Sequence, residues 1–468
     1  MLQVVKQADQ DGIPSAVTRA VVDELVARRI EQYPADIVVL AKQCVIDFLA
    51  VTLVGTRETG SQAVAAELLD GRGADGPSTL IGLAQRASAL DAALINGMAA
   101  HALDYDDVSL PMSAHASVVI LPALLALAEK RKASGRQVLE SFVAGYEAGS
   151  RIGMYTAPTH YDSGFHGTGT IGTFAAAAAC AHLMRLDADR TERAIGIAAA
   201  QAAGIRAMFG TDCKPLHAGK GAFNGLFAAL LAARDFTSAT GSVECANGFA
   251  ATHAGARNGA EAFAEPAGGF FLRQNLFKYH AACYMTHAAA NAITETMKAH
   301  ALSPDAVERI VVTADQSLNS VCNIANPDTG LGMKFSLRTV AALSMLGRDT
   351  SALSSFTDTA AAEPSIAQAR ERIEVQLADI RPITRTGIRL IAKGGQTIEA
   401  EHDSGKPETD LGVQKARLQG KFRALAGEVL GAARADQLLG LIETLDTQSD
   451  IGGMMRLAAK GEELDPSS

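Results

Sequence analysis

Residues 96–115, NGMAAHALDYDDVSLPMSAH, place two histidines and three aspartates in a run otherwise rich in alanine and leucine. Three chemistries compete for them. Asp104, Asp106 and Asp107 could cap a helix end and face water. Alternatively, His101 and Asp104, three apart on one helical face, could meet a returning His115 around a metal ion. Hard cations, however, want several oxygen ligands and zinc wants a defined His/Cys geometry, and this spacing supplies neither. The third reading is a catalytic floor, which needs other polar groups equally out of place.

Such groups exist. GFHGTGTIG sets His166 and Thr168 just before the alanine-rich run TFAAAAACAH. Gly167, Gly169 and Gly172 match G-x-G-x-x-G, but a dinucleotide fold needs an apolar strand before it. The preceding YTAPTHYDSGFH has none, so no nicotinamide cofactor is expected. What remains is a helix N-terminus with a histidine and hydroxyls, which suits an anion. GTDCKPLHAGKG carries Lys214, His217 and Lys220. Lys220 reads as a surface lysine. Lys214 precedes a proline and is expected in an extended turn. LFKYHAACYMTH carries Lys278 and His287; His287 reads as a hydrogen-bonded core residue. Lys278 falls where two domains should meet, a common place for pockets.

Two lysines and two histidines facing Asp104 suit a small di- or tricarboxylate. Lysines neutralise carboxylates, and histidine moves protons near neutrality. A proton lost next to a carboxylate leaves an enolate-like species that needs fixed positive groups and donors. This chemistry needs no cofactor.

The elements that must hold these groups are mostly helical. PSAVTRAVVDELVARRI stripes Val17, Val21, Leu25 and Val26 at helical spacing, with Pro14 and Ser15 as start signals. PADIVVLAKQCVIDFLAVTLVG is apolar nearly all round, as a buried helix is. Six further alanine- and glycine-bearing helices follow to about residue 265. A Gly/Pro/Asn cluster near 255–271 marks a boundary. VERIVVTAD reads as a strand and TGIRLIAKGGQTIEAEH as a hairpin turning at Gly394–Gly395. The fold class expected is mainly α: a large all-helical domain (1–269 with 406–468) and a smaller α+β lid (270–405). The 468 residues carry a net charge of −9 and no long basic block, which excludes a nucleic-acid partner. The six cysteines form no Cys-x-x-Cys and read as reduced, buried thiols of a cytoplasmic protein. The longest apolar runs fall short of the ~20 residues of a membrane span.

The ordered set LINGMAAHALDYDD, GFHGTGTIG, KPLHAG, LFKYHAACYMTH and KFSLRTVAA resembles the MmgE/PrpD family. That family includes 2-methylcitrate dehydratase, cis-aconitate decarboxylase and iminodisuccinate epimerase. The resemblance runs from VIDFLAVTLVG to the C-terminal helices. It implies a helical domain with an α+β lid, usually a homodimer, and a cofactor-independent reaction on a small polycarboxylate. The family's pocket residues fall on Asp104, on His115 (after one extra residue), and on His166, Lys214 and Lys278. The roles implied are His115 and His166 as base and acid in open order, Lys214 and Lys278 as carboxylate clamps, and Asp104 as orienting group. Thr168 and His217 are expected to bind substrate, and no metal is expected. Val108 and Thr339 stand where decarboxylase-like members carry Thr and Tyr, and YHAAC replaces a proline-containing form. Lost polar groups change which substrate is tolerated, which argues against cis-aconitate decarboxylation. The first expectation, as a common role in that family, is a 2-methylcitrate dehydratase-like enzyme, followed by an iminodisuccinate-like epimerase. A metal-dependent hydrolase using His101, Asp104 and His115, or a non-catalytic tricarboxylate-binding protein, are the alternatives from other classes.

Overall fold

The structure, a computed structural model, describes residues 16–71 and 76–460. The start signals Pro14 and Ser15 lie outside them. Two compact units are present: Met1–Phe277 with Thr409–Ser468, and Lys278–Glu408.

The first unit is built from long helices. Ala35–Gly55 is buried nearly all round, as its composition requires, and packs against Ala89–His101 and Leu411–Leu430. It is long and apolar enough by length and composition to cross a membrane. The expectation that no apolar run reaches that length is thus corrected: the helix begins well before CVIDFLAVTLVG. Most of its surface is covered by the protein itself. Ser117–Arg131, Gly135–Thr156, Ile171–Leu183 and Cys213–Ala232 complete the layers around the site. Every residue of Ile171–Leu183 is buried.

Small residues set the helix spacing. A Cβ on Gly219 would lie 2.4 Å from the Leu94 carbonyl oxygen, and one on Gly225 2.5 Å from the Ala176 Cβ. Helices without side chains at the crossing can approach until backbones touch, which offsets the scarcity of aromatic volume. The unit also contains two short strand pairs that the all-helical reading lacked. Ser78–Thr79 pairs with Arg86–Ala87, and Val108–Ser109 with Asn275–Leu276. Two-residue ladders leave no periodicity for a sequence to display. Among the cysteines, Cys44, Cys180, Cys283 and Cys322 are buried, while Cys213 and Cys245 are exposed, correcting the uniform expectation.

The second unit has one four-stranded sheet, in the order Ile373–Ala378, Val307–Asp315, Arg385–Ala392, Thr397–Asp403. The first pair is parallel and the others antiparallel. A parallel pair needs a crossover, and the Leu337–Met345 helix lies within it. That helix and His287–Ala299 cover the sheet through Ile293, Val312, Leu337, Ala341 and Leu390. The last two strands form the expected hairpin, with Gly395 at φ 81° in the turn.

Gly219→Ala should destabilise the first unit by about 1–3 kcal/mol, because a backbone carbonyl cannot step aside for the new methyl group. Gly420→Ala, mid-helix and exposed with nothing near its Cβ, should stabilise by about 0.5–1 kcal/mol. Urea unfolding of the two variants side by side checks both signs.

Candidate active site

The site grows from the end of one helix. Ala89–His101 delivers His101 as its last residue. The chain then bends, with Asp104 at φ 51° and Ser113 at φ 47°. Left-handed backbone at non-glycine residues is uncommon and persists where the surroundings enforce it. The surroundings here are specific. Val108 and Ser109 pair with Leu276 and Asn275. Ser109 and Ala114 exchange backbone hydrogen bonds of 2.8 and 3.1 Å, which brings His115 back toward His101. The glycines of GFHGTGTIG take part through packing. A Cβ on Gly167 would lie 2.3 Å from the Ser113 carbonyl oxygen, and one on Gly169 2.4 Å from that of Ala203.

Asp106 has no solvent exposure. Both of its oxygens lie 3.0 Å from His101 Nδ1. Its Oδ2 is also 2.9 Å from His115 Nδ1, an ion-pair contact out of line for a full hydrogen bond. Burial alone would raise the Asp106 carboxyl; the two imidazoles outweigh it and hold it well below the carboxylate range. Burial lowers His101 to about 4, against the pull of Asp106. His101 is therefore a neutral donor at Nδ1, and its buried Nε2 has no hydrogen-bond partner among the described residues.

Lys214 donates from Nζ to Asp104 Oδ1 at 2.7 Å, and both are buried. His115 Nε2 lies 3.8 Å from the same oxygen. The Phe209 ring centroid is 5.3 Å from Nζ. The expected extended turn at Lys214 is corrected: Lys214 is the second residue of the Cys213–Ala232 helix. Pro215 sits in the first turn, where the missing N–H has no intrahelical acceptor to lose. A cation at a helix N-terminus opposes the dipole, and Asp104 offsets it.

His166 is buried beside this group, its ring stacked on His101 at a centroid separation of 5.9 Å. Its Nδ1 lies 3.0 Å from Nδ1 of the half-buried His217. Burial, then the Lys214 charge, push both imidazoles down, His166 well below its ordinary value. Thr168, expected to meet substrate, is fully buried, and its Oγ1 accepts the His115 N–H at 3.1 Å. It fixes the loop backbone.

Asp104, His115, His166, Lys214, Thr168 and His217 thus converge within the first unit. Lys278 is the first residue of the second unit. His287 is a core histidine of that unit, its Nε2 on the Ala282 carbonyl at 3.2 Å. Val108 is buried in its strand pair, and the Thr339 hydroxyl bonds Ser336 Oγ at 2.8 Å. The residues missing from the expected set are Asp106 and, as an imidazole serving this carboxylate, His101. Their signal was the H-x-x-D-Y-D-D spacing itself.

His101, Asp104, Asp106 and His115 each offer one donor atom within 4.8 Å of the others. In composition this set could hold a small divalent cation. The Nδ1–carboxylate separations of 2.9 and 3.0 Å are shorter than the roughly 3.3 Å between ligands around tetrahedral zinc at ~2.0–2.1 Å bonds. The Lys214 ammonium already places a positive charge on Asp104.

Neutral burial of His101 makes stability depend on pH. Its contribution is full above the unfolded value of ~6.5 and is lost as pH falls toward about 4. His101→Asn, which does not titrate, should flatten the fall between pH 7 and 4.5 by up to about 3 kcal/mol, measured by urea unfolding at both pH values.

Comparison with known proteins agrees with the motifs. The MmgE/PrpD N-terminal domain matches residues 21–261 and the MmgE/PrpD C-terminal domain residues 280–447. The cis-aconitate decarboxylase-like protein oryM of Aspergillus oryzae is 37% identical over 42% of this chain and 43% of its own length. The cis-aconitate decarboxylase of Aspergillus terreus is 26% identical over 97% of this chain and 98% of its own. That of Mus musculus is 27% identical over 78% of each. These relatives are named as decarboxylases and not as dehydratases. With matches on both sides of the seam and together over most of its length, the chain belongs to the MmgE/PrpD family of enzymes acting on carboxylates.

Proposed function

We propose that the chain is a cofactor-independent lyase acting on a small tricarboxylate, with cis-aconitate as first candidate substrate and loss of CO2 as the reaction. The expectation of a 2-methylcitrate dehydratase gives way to second place, because relatives matched over most of their own length carry the decarboxylase name. The observation that supports lyase chemistry is the buried Lys214–Asp104 pair set against imidazoles at His115 and His166. An ammonium in a low-dielectric site stabilises a carboxylate and the enolate-like charge that follows. The histidines exchange the proton. Lys278 is assigned the second carboxylate clamp on the family resemblance, and His217 backs His166.

Dehydration stays as the second reading on one observation: buried Val108 offers no hydroxyl at a position where the family resemblance leads to a threonine in decarboxylase-like members. A site without that donor tolerates different substrates.

The test is a proton NMR time course in D2O with the full chain, untreated and chelator-treated in parallel, and cis-aconitate, citrate, 2-methylcitrate or iminodisuccinate. A new terminal alkene from cis-aconitate supports decarboxylation. An internal alkene from 2-methylcitrate supports dehydration, and deuterium wash-in with an intact skeleton supports epimerisation. Four unchanged substrates sink the lyase reading and leave a binding protein; activity abolished by chelation points to the metal-dependent alternative. Lys214→Ala should lose about 10²- to 10³-fold in kcat/KM while its circular dichroism stays helical.

A further inference from the structure

We infer that Asp106 is the positioning residue that makes His115 the proton carrier of the site, with His101 as the second anchor of the same carboxylate. The inference rests on the proposed lyase reading and names how its proton is handled.

An ionised carboxylate only accepts hydrogen bonds. Asp106 is fully buried and closes on two imidazoles through their Nδ1 atoms, at 3.0 Å for His101 and 2.9 Å for His115. Each Nδ1 must therefore carry its hydrogen, which leaves each Nε2 as the nitrogen able to exchange a proton. His115 Nε2 lies 3.8 Å from Asp104 Oδ1, the oxygen that receives the Lys214 ammonium. It therefore faces the place where a substrate carboxylate would be held. The His115–Asp106 contact, short but poorly aligned, is of the kind that straightens once substrate is bound.

His101 explains why the carboxylate stays put. Its Nδ1 sits equidistant from both Asp106 oxygens, at the fixed end of a buried helix. The groups around the carboxylate are His101, His115 and Asp104, with Asp107 next in sequence. His166 has no such backing: its Nδ1 meets another imidazole, that of His217. An imidazole without an anion is the weaker carrier of positive charge.

In decarboxylation the bond from carbon to the departing carboxylate breaks and CO2 leaves. Its electron pair moves through the alkene. The carbon at the far end takes the Nε2 proton of the His115 imidazolium, and the neutral ring regains a proton from water. In dehydration the flow reverses: Nε2 takes the C–H proton, the C–H electron pair forms the alkene, and the departing hydroxyl leaves as water by taking that proton back from the imidazolium. Asp106 stays anionic in both.

Asp106→Asn keeps the shape but presents a donor N–H to one ring, forcing that ring into the opposite tautomer. We expect kcat to fall about 10²- to 10⁴-fold with KM changed less than threefold, since Asp106 does not touch substrate. His101→Asn should lower kcat about tenfold with KM unchanged. Nitrogen-15 NMR of histidine-labelled wild-type protein, without substrate, should show neutral His115 as the Nδ1–H tautomer. An Nε2–H tautomer there overturns the inference, even if Asp106→Asn fails to fold. Asp106→Asn with wild-type kcat, or with KM and kcat/KM changed together at constant kcat, overturns it equally. Because the NMR reading needs no turnover, it stands apart from failure of the lyase reading, which shows as wild-type protein converting none of the substrates.

Discussion

A carboxylate taken out of water must be met by donors, and the first unit is organised around four that are. Asp47, Asp104, Asp106 and Asp107 are all buried. Leaving any of them unpaired would cost several kcal/mol. Lys421 donates to Asp47 at 2.7 Å, Lys214 to Asp104, and the imidazoles meet Asp106. Asp107 accepts from the Ser117 backbone and hydroxyl and from Asn275. These donors arrive on separate elements: Ala89–His101, Ser117–Arg131, Cys213–Ala232, Leu411–Leu430 and the short strand Asn275–Leu276. Each buried acid therefore ties the loop 102–116 or its supporting helix to another part of the fold. The positive φ of Asp104 is held by that web.

Asp107 differs from its neighbours. Burial and the nearby Asp47 raise it to about 7, against the hydrogen bonds from Ser117 and Asn275. Asn275 in turn accepts from Tyr146 at 3.0 Å. Adjacent aspartates are thus pushed in opposite directions: Asp106, met by imidazoles, is held down, while Asp107 is pushed up. Environment divides them, since the two side chains are chemically identical. Lys421 adds a further tie, donating to the Tyr105 carbonyl at 2.6 Å and lying 3.7 Å from the Tyr105 ring centroid.

Close helix approach makes this possible without large side chains. Gly219 and Gly225 let Cys213–Ala232 lie on its neighbours, so Lys214 reaches the loop and His217 reaches His166 from a rigid support. Groups held on helices keep their geometry better than groups on free loops. The glycines that resemble a dinucleotide fingerprint are part of the same device: Gly167 and Gly169 admit neighbouring carbonyl oxygens.

The helical character of the first unit, the strand and hairpin of the second, and the family are all legible in the order of the amino acids. Periodicity, turn residues and ordered motifs are local and survive without coordinates. His166, Lys214 and Asp104 were legible as misplaced polar groups in apolar surroundings. Which acid serves which base is set by the folded arrangement. Asp104, expected to orient a histidine or a lysine, takes the lysine; Asp106, passed over as one of three similar aspartates, takes the histidines. Thr168 holds a backbone N–H, and Lys214 is helical despite its proline. The reason is physical: direction, burial and partner of a side chain depend on residues far away in sequence, and three aspartates within four positions differ only once those partners arrive.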